Sequence, residues 1–95
     1  MEPLCDRPPN DPRKFNLLGL ALLQDKPRQA VGSFRRALRC DLRYEPAYLN
    51  LAQAYDKLGE TSSATECLRR YLRLMPQGKL AGDARQRLAA LEPTR

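Results

Sequence analysis

The sequence contains no histidine, no tryptophan and no isoleucine, and Val31 is its single valine. Without histidine the chain lacks the usual general base and the commonest metal ligand of proteins. Isoleucine and valine favour strands and lose side-chain freedom in helices. Because alanine and leucine dominate the apolar residues instead, these absences favour an all-helical protein that is not an enzyme and holds no metal or cofactor.

Cysteine is also scarce, with Cys5, Cys40 and Cys67 far apart in the chain. An odd number of cysteines without close spacing is typical neither of a disulfide framework nor of a zinc site. No apolar run approaches the length of about 20 residues that a membrane-spanning helix needs. The first residues carry prolines and acids where a signal peptide has a basic start and an apolar stretch. We therefore expect a cytoplasmic protein with reduced thiols and no membrane span.

The charge balance is strongly basic, with 17 Lys and Arg residues, 11 Asp and Glu residues and a net charge of +6. A chain of 95 residues corresponds to one small domain. A basic domain of this kind favours acidic partners, phosphate groups or anionic surfaces at low salt. The charge alone does not distinguish among these partners.

Proline and glycine divide the chain. Four of the eight prolines lie in residues 1–12, which we interpret as an N-terminal tail. Beyond it, helical periodicity predicts one helix pair in residues 13–44, a second in 45–78 and a closing helix in 79–92. Gly59 is expected to end the third helix in a left-handed conformation, and Thr61 to cap the fourth. The short connections predict that neighbouring helices run antiparallel.

The two predicted helix pairs are related by a shift of 34 residues, which places Ala30 on Ala64, Phe34 on Leu68 and Leu38 on Leu72. A period of this length containing two helices resembles the tetratricopeptide repeat (TPR) family. The residues of the second pair that match its pattern are Tyr48, Leu51, Ala52, Tyr55, Gly59, Ala64, Leu68 and Pro76, whereas Tyr71 stands where a small residue is usual. The first pair matches with Phe15, Leu18, Gly19, Leu22, Ala30, Phe34 and Ala37.

The resemblance implies an all-α fold in which antiparallel helix hairpins stack as a short right-handed solenoid of five helices. It also implies a scaffold or adaptor that binds a peptide or helix of another protein in a concave groove lined by the first helix of each pair. The residues expected to face this groove are Asn16, Leu23, Leu49, Asn50, Gln53 and Lys57, with Asp56 beside them.

Asn16 and Asn50 are 34 residues apart, so a 34-residue offset makes them equivalent and suggests a pair of amides that clamps a peptide backbone. The packing pattern of the first helix fits better with an offset of 33 residues. In that register Asn16 matches Leu49 and the equivalence is lost. The role of the two amides therefore depends on one residue of offset.

A second candidate surface consists of arginines on the second helix of each pair: Arg35, Arg36, Arg39, Arg69, Arg70 and Arg73. Helical spacing predicts that they form a ridge on the convex side, which would bind acidic protein or nucleic acid. A solvated face is the simpler interpretation, because no exposed aromatic residues alternate with the arginines. A third alternative is a purely architectural solenoid piece that forms a homodimer through its apolar ends.

Overall fold

The computed structural model describes residues 11–92, and in this range the chain is entirely helical and has no strand. The predicted tail therefore lies outside the described residues except for its last two positions. The five helices are α1 (Pro12–Leu22), α2 (Pro27–Cys40), α3 (Glu45–Lys57), α4 (Thr61–Leu74) and α5 (Ala81–Leu91). This confirms the predicted all-α class and the number of helices.

Proline marks the beginning of the first three helices. Pro12, Pro27 and Pro46 each lie in the first turn, where the missing N–H removes no helical hydrogen bond. Asp11 caps α1, because its carboxylate accepts a hydrogen bond of 2.9 Å from the backbone N–H of Arg13. This cap went unpredicted, although aspartate directly before a proline-initiated helix is a recognisable signal.

The boundary between α3 and α4 is formed by Gly59, whose φ of 76° lies in the left-handed region. The N–H of Gly59 donates to the carbonyl of Asp56 at 3.0 Å, and the N–H of Glu60 donates to that of Tyr55 at 2.9 Å. This is the Schellman arrangement, and it confirms the left-handed ending predicted for α3. The prediction for Thr61 is wrong, since Thr61 is the first helical residue and Glu60 precedes it without a side-chain cap.

Each helix packs against the next one in the chain, and α1 also contacts α3. The connections consist of residues 23–26, 41–44, 58–60 and 75–80. None is long enough to run back along a helix, so consecutive helices run in opposite directions. The core is one cluster shared by all five helices.

Small residues allow the paired helices to approach. A Cβ atom on Gly19 would lie only 2.6 Å from Cδ1 of Phe34, so the Phe34 ring occupies the space that any other side chain would need. Ala30, Ala52 and Ala64 are buried at the corresponding close contacts. The packing role predicted for these four small residues is therefore confirmed.

The buried face of α1 differs from the predicted one. Leu18 was expected to pack but is 50% exposed, whereas Leu23, directly after the helix, is 4% exposed. Leu23 follows Phe15 by eight residues and Gly19 by four, so all three lie on one helical stripe. Because α1 packs only on α2 and α3, a single stripe suffices, and Leu18 lies outside it.

Candidate protein-interaction surfaces

The six predicted groove residues divide into two groups. Leu23 and Leu49 belong to the core, with 4% and 6% of their surface exposed, so their assignment to the groove was wrong. Leu49 precedes Ala52 by three residues and therefore shares its buried stripe. On α3, Asn50 and Gln53 are half-buried and Lys57 is exposed, so these side chains remain accessible.

The two asparagines contact each other. The side-chain N–H of Asn50 donates to Oδ1 of Asn16 at 2.9 Å, and Asn16 is itself only 6% exposed. The bond joins α1 to α3 and gives each amide a partner inside the protein. Asn16 is therefore too deep to bind a partner directly, which corrects its assignment as a groove contact.

An accessible cleft lies between α3 and α5. It has a volume of about 130 Å³, and α5 contributes Arg87, Ala90 and Leu91 to its lining. From α3 it is lined by Ala52, Gln53 and Asp56. We call this the α3–α5 cleft. Its centre is apolar and its edge carries one carboxylate and one guanidinium, so it suits an apolar side chain flanked by polar groups.

The position of α5 depends on a buried hydrogen-bond cluster that the sequence did not predict. The Tyr71 hydroxyl donates to Oε1 of Glu45 at 2.5 Å, and the N–H of Leu80 lies 3.1 Å from the Tyr71 oxygen and 3.2 Å from the same carboxylate. Gly78 completes the cluster, because a Cβ there would lie 2.8 Å from Glu45 Oε1. We call these four residues the Tyr71 cluster. They join the start of α3 to α4 and to the loop that leads into α5.

The Tyr71 cluster shifts the titration of both its acidic groups. The hydrogen bond from Tyr71 lowers the pKa of the Glu45 carboxyl, and the Leu80 N–H lowers it further against the opposing effect of burial. Burial and the adjacent carboxylate raise the pKa of Tyr71 to about 12. At neutral pH the pair consists of a neutral phenol and a carboxylate, the combination in which this hydrogen bond is charge-assisted.

The six arginines do not form one ridge. Arg36 lies over the Phe15 ring of α1 with its guanidinium carbon 6.0 Å from the ring centre, while Arg69 pairs with Glu92 beyond the end of α5. These two arginines therefore face opposite ends of the molecule. The uniform strip expected from helical spacing is thus interrupted by intramolecular contacts.

Arg35 of α2 and Arg70 of α4 instead line a common cleft between these helices. The cleft has a volume of about 350 Å³, and Leu51 and Tyr55 of α3 contribute to its lining. We call it the arginine cleft. Spacing alone could not predict it, because it forms only where two second helices lie side by side above a first helix.

The thiols differ from one another. Cys67 is free, half-buried and part of the lining of the arginine cleft, and burial raises its pKa to about 11. A thiol with so high a pKa is a weak nucleophile at neutral pH. Cys40 is half-buried and disulfide-bonded, contrary to our expectation of reduced thiols, and Cys5 lies outside the described residues.

Searches for two other kinds of site gave negative results within residues 11–92. No three metal-ligating side chains come together in this part of the chain. None of its helices has the length and apolar character required to cross a membrane.

Comparison with known proteins adds no family assignment. No protein-family model matches the chain, and no curated protein is similar to it in sequence. The candidate function therefore depends on the two clefts and on the residues that line them.

Proposed function

We propose that this protein is a TPR-like scaffold of two helix pairs and a closing helix, and that it binds a peptide or helix of another protein. The binding surface is the groove formed by the exposed side of α3 and by α5. Lys57, Gln53 and Asn50 line its α3 side, and the α3–α5 cleft is its deepest point.

Two contacts support a regular stacking of the helix pairs. Arg28, in the first turn of α2, donates to the carboxylate of Glu60 at the start of α4 at 2.7 Å. Asn16 and Asn50 link α1 to α3 in the same way. Equivalent helices of the two pairs are thus neighbours at both the first and the second position, as a right-handed solenoid requires.

The observation that carries the proposal is the α3–α5 cleft. A cavity of about 150 Å³ binds a molecule the size of benzene, so about 130 Å³ corresponds to one apolar side chain. Peptide recognition in a helical groove commonly depends on one or a few such anchors surrounded by polar contacts. Gln53, Asp56 and Arg87 supply donors and acceptors of both signs around the anchor position.

The test uses peptides selected from a random library against the immobilised protein. Truncating both Gln53→Ala and Arg87→Ala removes the polar edge of the α3–α5 cleft without disturbing the core. We expect the affinity of the selected peptides to fall at least about tenfold, or about 1.4 kcal/mol. Asn50→Ala is less informative, because it leaves the buried Asn16 amide without its partner.

Arg39→Ala is the matched control, since Arg39 is an exposed arginine of α2 that lines neither cleft. It also removes one positive charge, as Arg87→Ala does, and we expect affinity within about twofold of the parent protein. Peptides that bind the groove variant as tightly as the parent protein would overturn the groove assignment. Light scattering over a range of concentrations tests the architectural alternative, in which the chain forms an obligate homodimer.

The electrostatic alternative, binding of nucleic acid or acidic protein along all six arginines, is less favoured. Arg69, Arg70 and Arg73 each have a carboxylate within 4.0 Å, so α4 offers little free positive charge. A flat dependence of binding on salt concentration would exclude a phosphate-tracking mode.

A further inference from the structure

The arginine cleft is distinct from the groove of the proposed function and lies between the second helices of the two pairs. Its volume of about 350 Å³ is within the range of about 300–1,000 Å³ that is usual for ligand-binding clefts. Arg35 and Arg70 line it from α2 and α4 respectively. It is open to solvent, which suits the side chains of a peptide better than an enclosed small molecule.

The charge of the arginine cleft is incompletely balanced. Arg35 is exposed and has no acidic partner among the described residues. Arg70 lies 4.0 Å from the Glu66 carboxylate, which is closer to Arg73, at 3.5 Å. Since Arg35, Arg70 and Glu66 line the cleft, its side chains carry one net positive charge. One additional carboxylate balances that charge, whereas a dianionic phosphate would exceed it.

The remaining lining residues favour a peptide. Leu38 and Leu51 are almost fully buried and offer an apolar base, while the half-buried Ser63 adds a hydroxyl at the start of α4. A guanidinium above an apolar surface suits an acidic side chain whose neighbour on the same face of the ligand is apolar. In an extended peptide, residues two positions apart share a face.

The arginine cleft lacks the features that nucleic acid requires. Single-stranded nucleic acid binds where exposed aromatic rings stack on bases and a row of cations follows the phosphates. Tyr48 is 1% exposed, and only two arginines line the cleft. A single carboxylate is therefore a better match than a phosphodiester chain.

We propose that the arginine cleft binds an acidic peptide segment in which an Asp or Glu side chain lies between Arg35 and Arg70. An apolar side chain two residues away packs on Leu38 and Leu51. This site is independent of the groove formed by α3 and α5, so either can fail without the other.

The experiment follows backbone amide signals of the isotope-labelled full chain by NMR during titration with acetyl-Gly-Glu-Ser-Leu-Gly-amide. We expect saturable shifts at α2 and α4 residues around the arginine cleft. The matched peptide with Gln in place of Glu should bind at least about fivefold more weakly, because it lacks the carboxylate.

Arg35→Gln and Arg39→Gln provide the matched protein variants, since both replace an exposed arginine of α2 and change the net charge equally. Arg35→Gln should weaken binding of the Glu peptide at least about fivefold, whereas Arg39→Gln should leave it within about twofold. The dispersed spectrum of each variant reports whether it is folded. Absence of saturable shifts, shifts confined to α3 and α5, or equal weakening in both variants would each overturn the proposal. Tighter binding of oligothymidylate than of the Glu peptide would overturn it as well.

Discussion

Gly19 and Gly32 are both interior residues of helices, yet their surroundings are opposite. The Cα of Gly19 faces the ring of Phe34, and no space remains for a side chain. Gly32, in the middle of α2, has no atom within 4 Å of the position that a Cβ would occupy. The same residue type is therefore required for packing at one site and only weakens the helix at the other.

The two glycines provide a test in which one substitution has opposite effects. Gly19→Ala should lower the free energy of unfolding by about 1–3 kcal/mol, because the new methyl group overlaps the Phe34 ring. Gly32→Ala should raise it by about 0.5–1 kcal/mol, because alanine has the higher helix propensity and meets nothing. Urea unfolding followed by circular dichroism measures both values. A gain in stability from Gly19→Ala would show that α1 and α2 are not packed as closely as described.

Individual residues were predictable from the sequence where packing determines them locally. The small positions at Gly19 and Ala30 followed from periodicity alone. Leu23 was misassigned because α1 carries leucines on several sides, and periodicity cannot tell which stripe faces the core at the end of a stack. Asn16 was ambiguous for a related reason, since one residue of offset decided between two surroundings.

At the scale of whole helices, Tyr71 connects parts of the chain that are far apart in sequence. It departs from the repeat pattern, which has a small residue at its position. Its ring packs against that of Tyr48 with centres 5.6 Å apart, and its hydroxyl reaches Glu45 and the Leu80 N–H. One side chain thus helps fix both the start of α3 and the approach of α5, on which the α3–α5 cleft depends.

The Tyr71 cluster predicts a pH dependence of stability at alkaline pH. The raised pKa of Tyr71, about 12 in the folded state against 10.0 as a reference, means that the unfolded chain ionises first. Its contribution is therefore complete below pH 10 and is lost as the pH rises towards 12. For Glu45, whose folded pKa is lowered, the contribution is present above its reference value of 4.5 and is lost as the pH falls below it.

Tyr71→Phe is the control that isolates this effect, because it removes the titrating hydroxyl and keeps the ring. At neutral pH we expect it to cost about 1–2 kcal/mol of unfolding free energy. The difference between parent and variant, measured by urea unfolding at several pH values, should shrink between pH 10 and 12. A difference that stays constant over this interval would contradict the assigned hydrogen bonds.

The helices themselves were largely predictable, because their boundaries are set by residues with strong local preferences. Pro27 and Gly59 marked a start and an end correctly. The Tyr71 cluster was not predictable, since its bonds join residues 26 and 35 positions apart and depend on the relative placement of three elements. The cleft around Arg35 and Arg70 was missed for the same reason.

At the scale of the whole molecule, the core is continuous although contacts run mainly between neighbouring helices. Two helix pairs are near the minimum that buries a repeat core, and neither pair has a core of its own to retain. Loss of one pair would expose the apolar face of the other. We therefore expect the described helices to unfold together.

All four tyrosines lie between Tyr44 and Tyr71, so their fluorescence reports the second helix pair and the turn before it. Far-ultraviolet circular dichroism reports all five helices. In thermal unfolding the two signals should share one midpoint, as expected for a two-state transition. Loss of circular dichroism at a lower temperature than the change in fluorescence would reveal independent melting of α1 and α2.

The hydrogen bond between Asn16 and Asn50 has a consequence for the competing arrangements of the chain. Leucines and alanines would tolerate displacement of α1 along α3 by one turn, about 5.4 Å, with much of the apolar burial retained. The same displacement would leave two amides unpaired at the interface, at about 1–3 kcal/mol each. The bond therefore adds little to the depth of the native minimum but widens the energy gap to the nearest misaligned state, as single polar residues do in coiled coils.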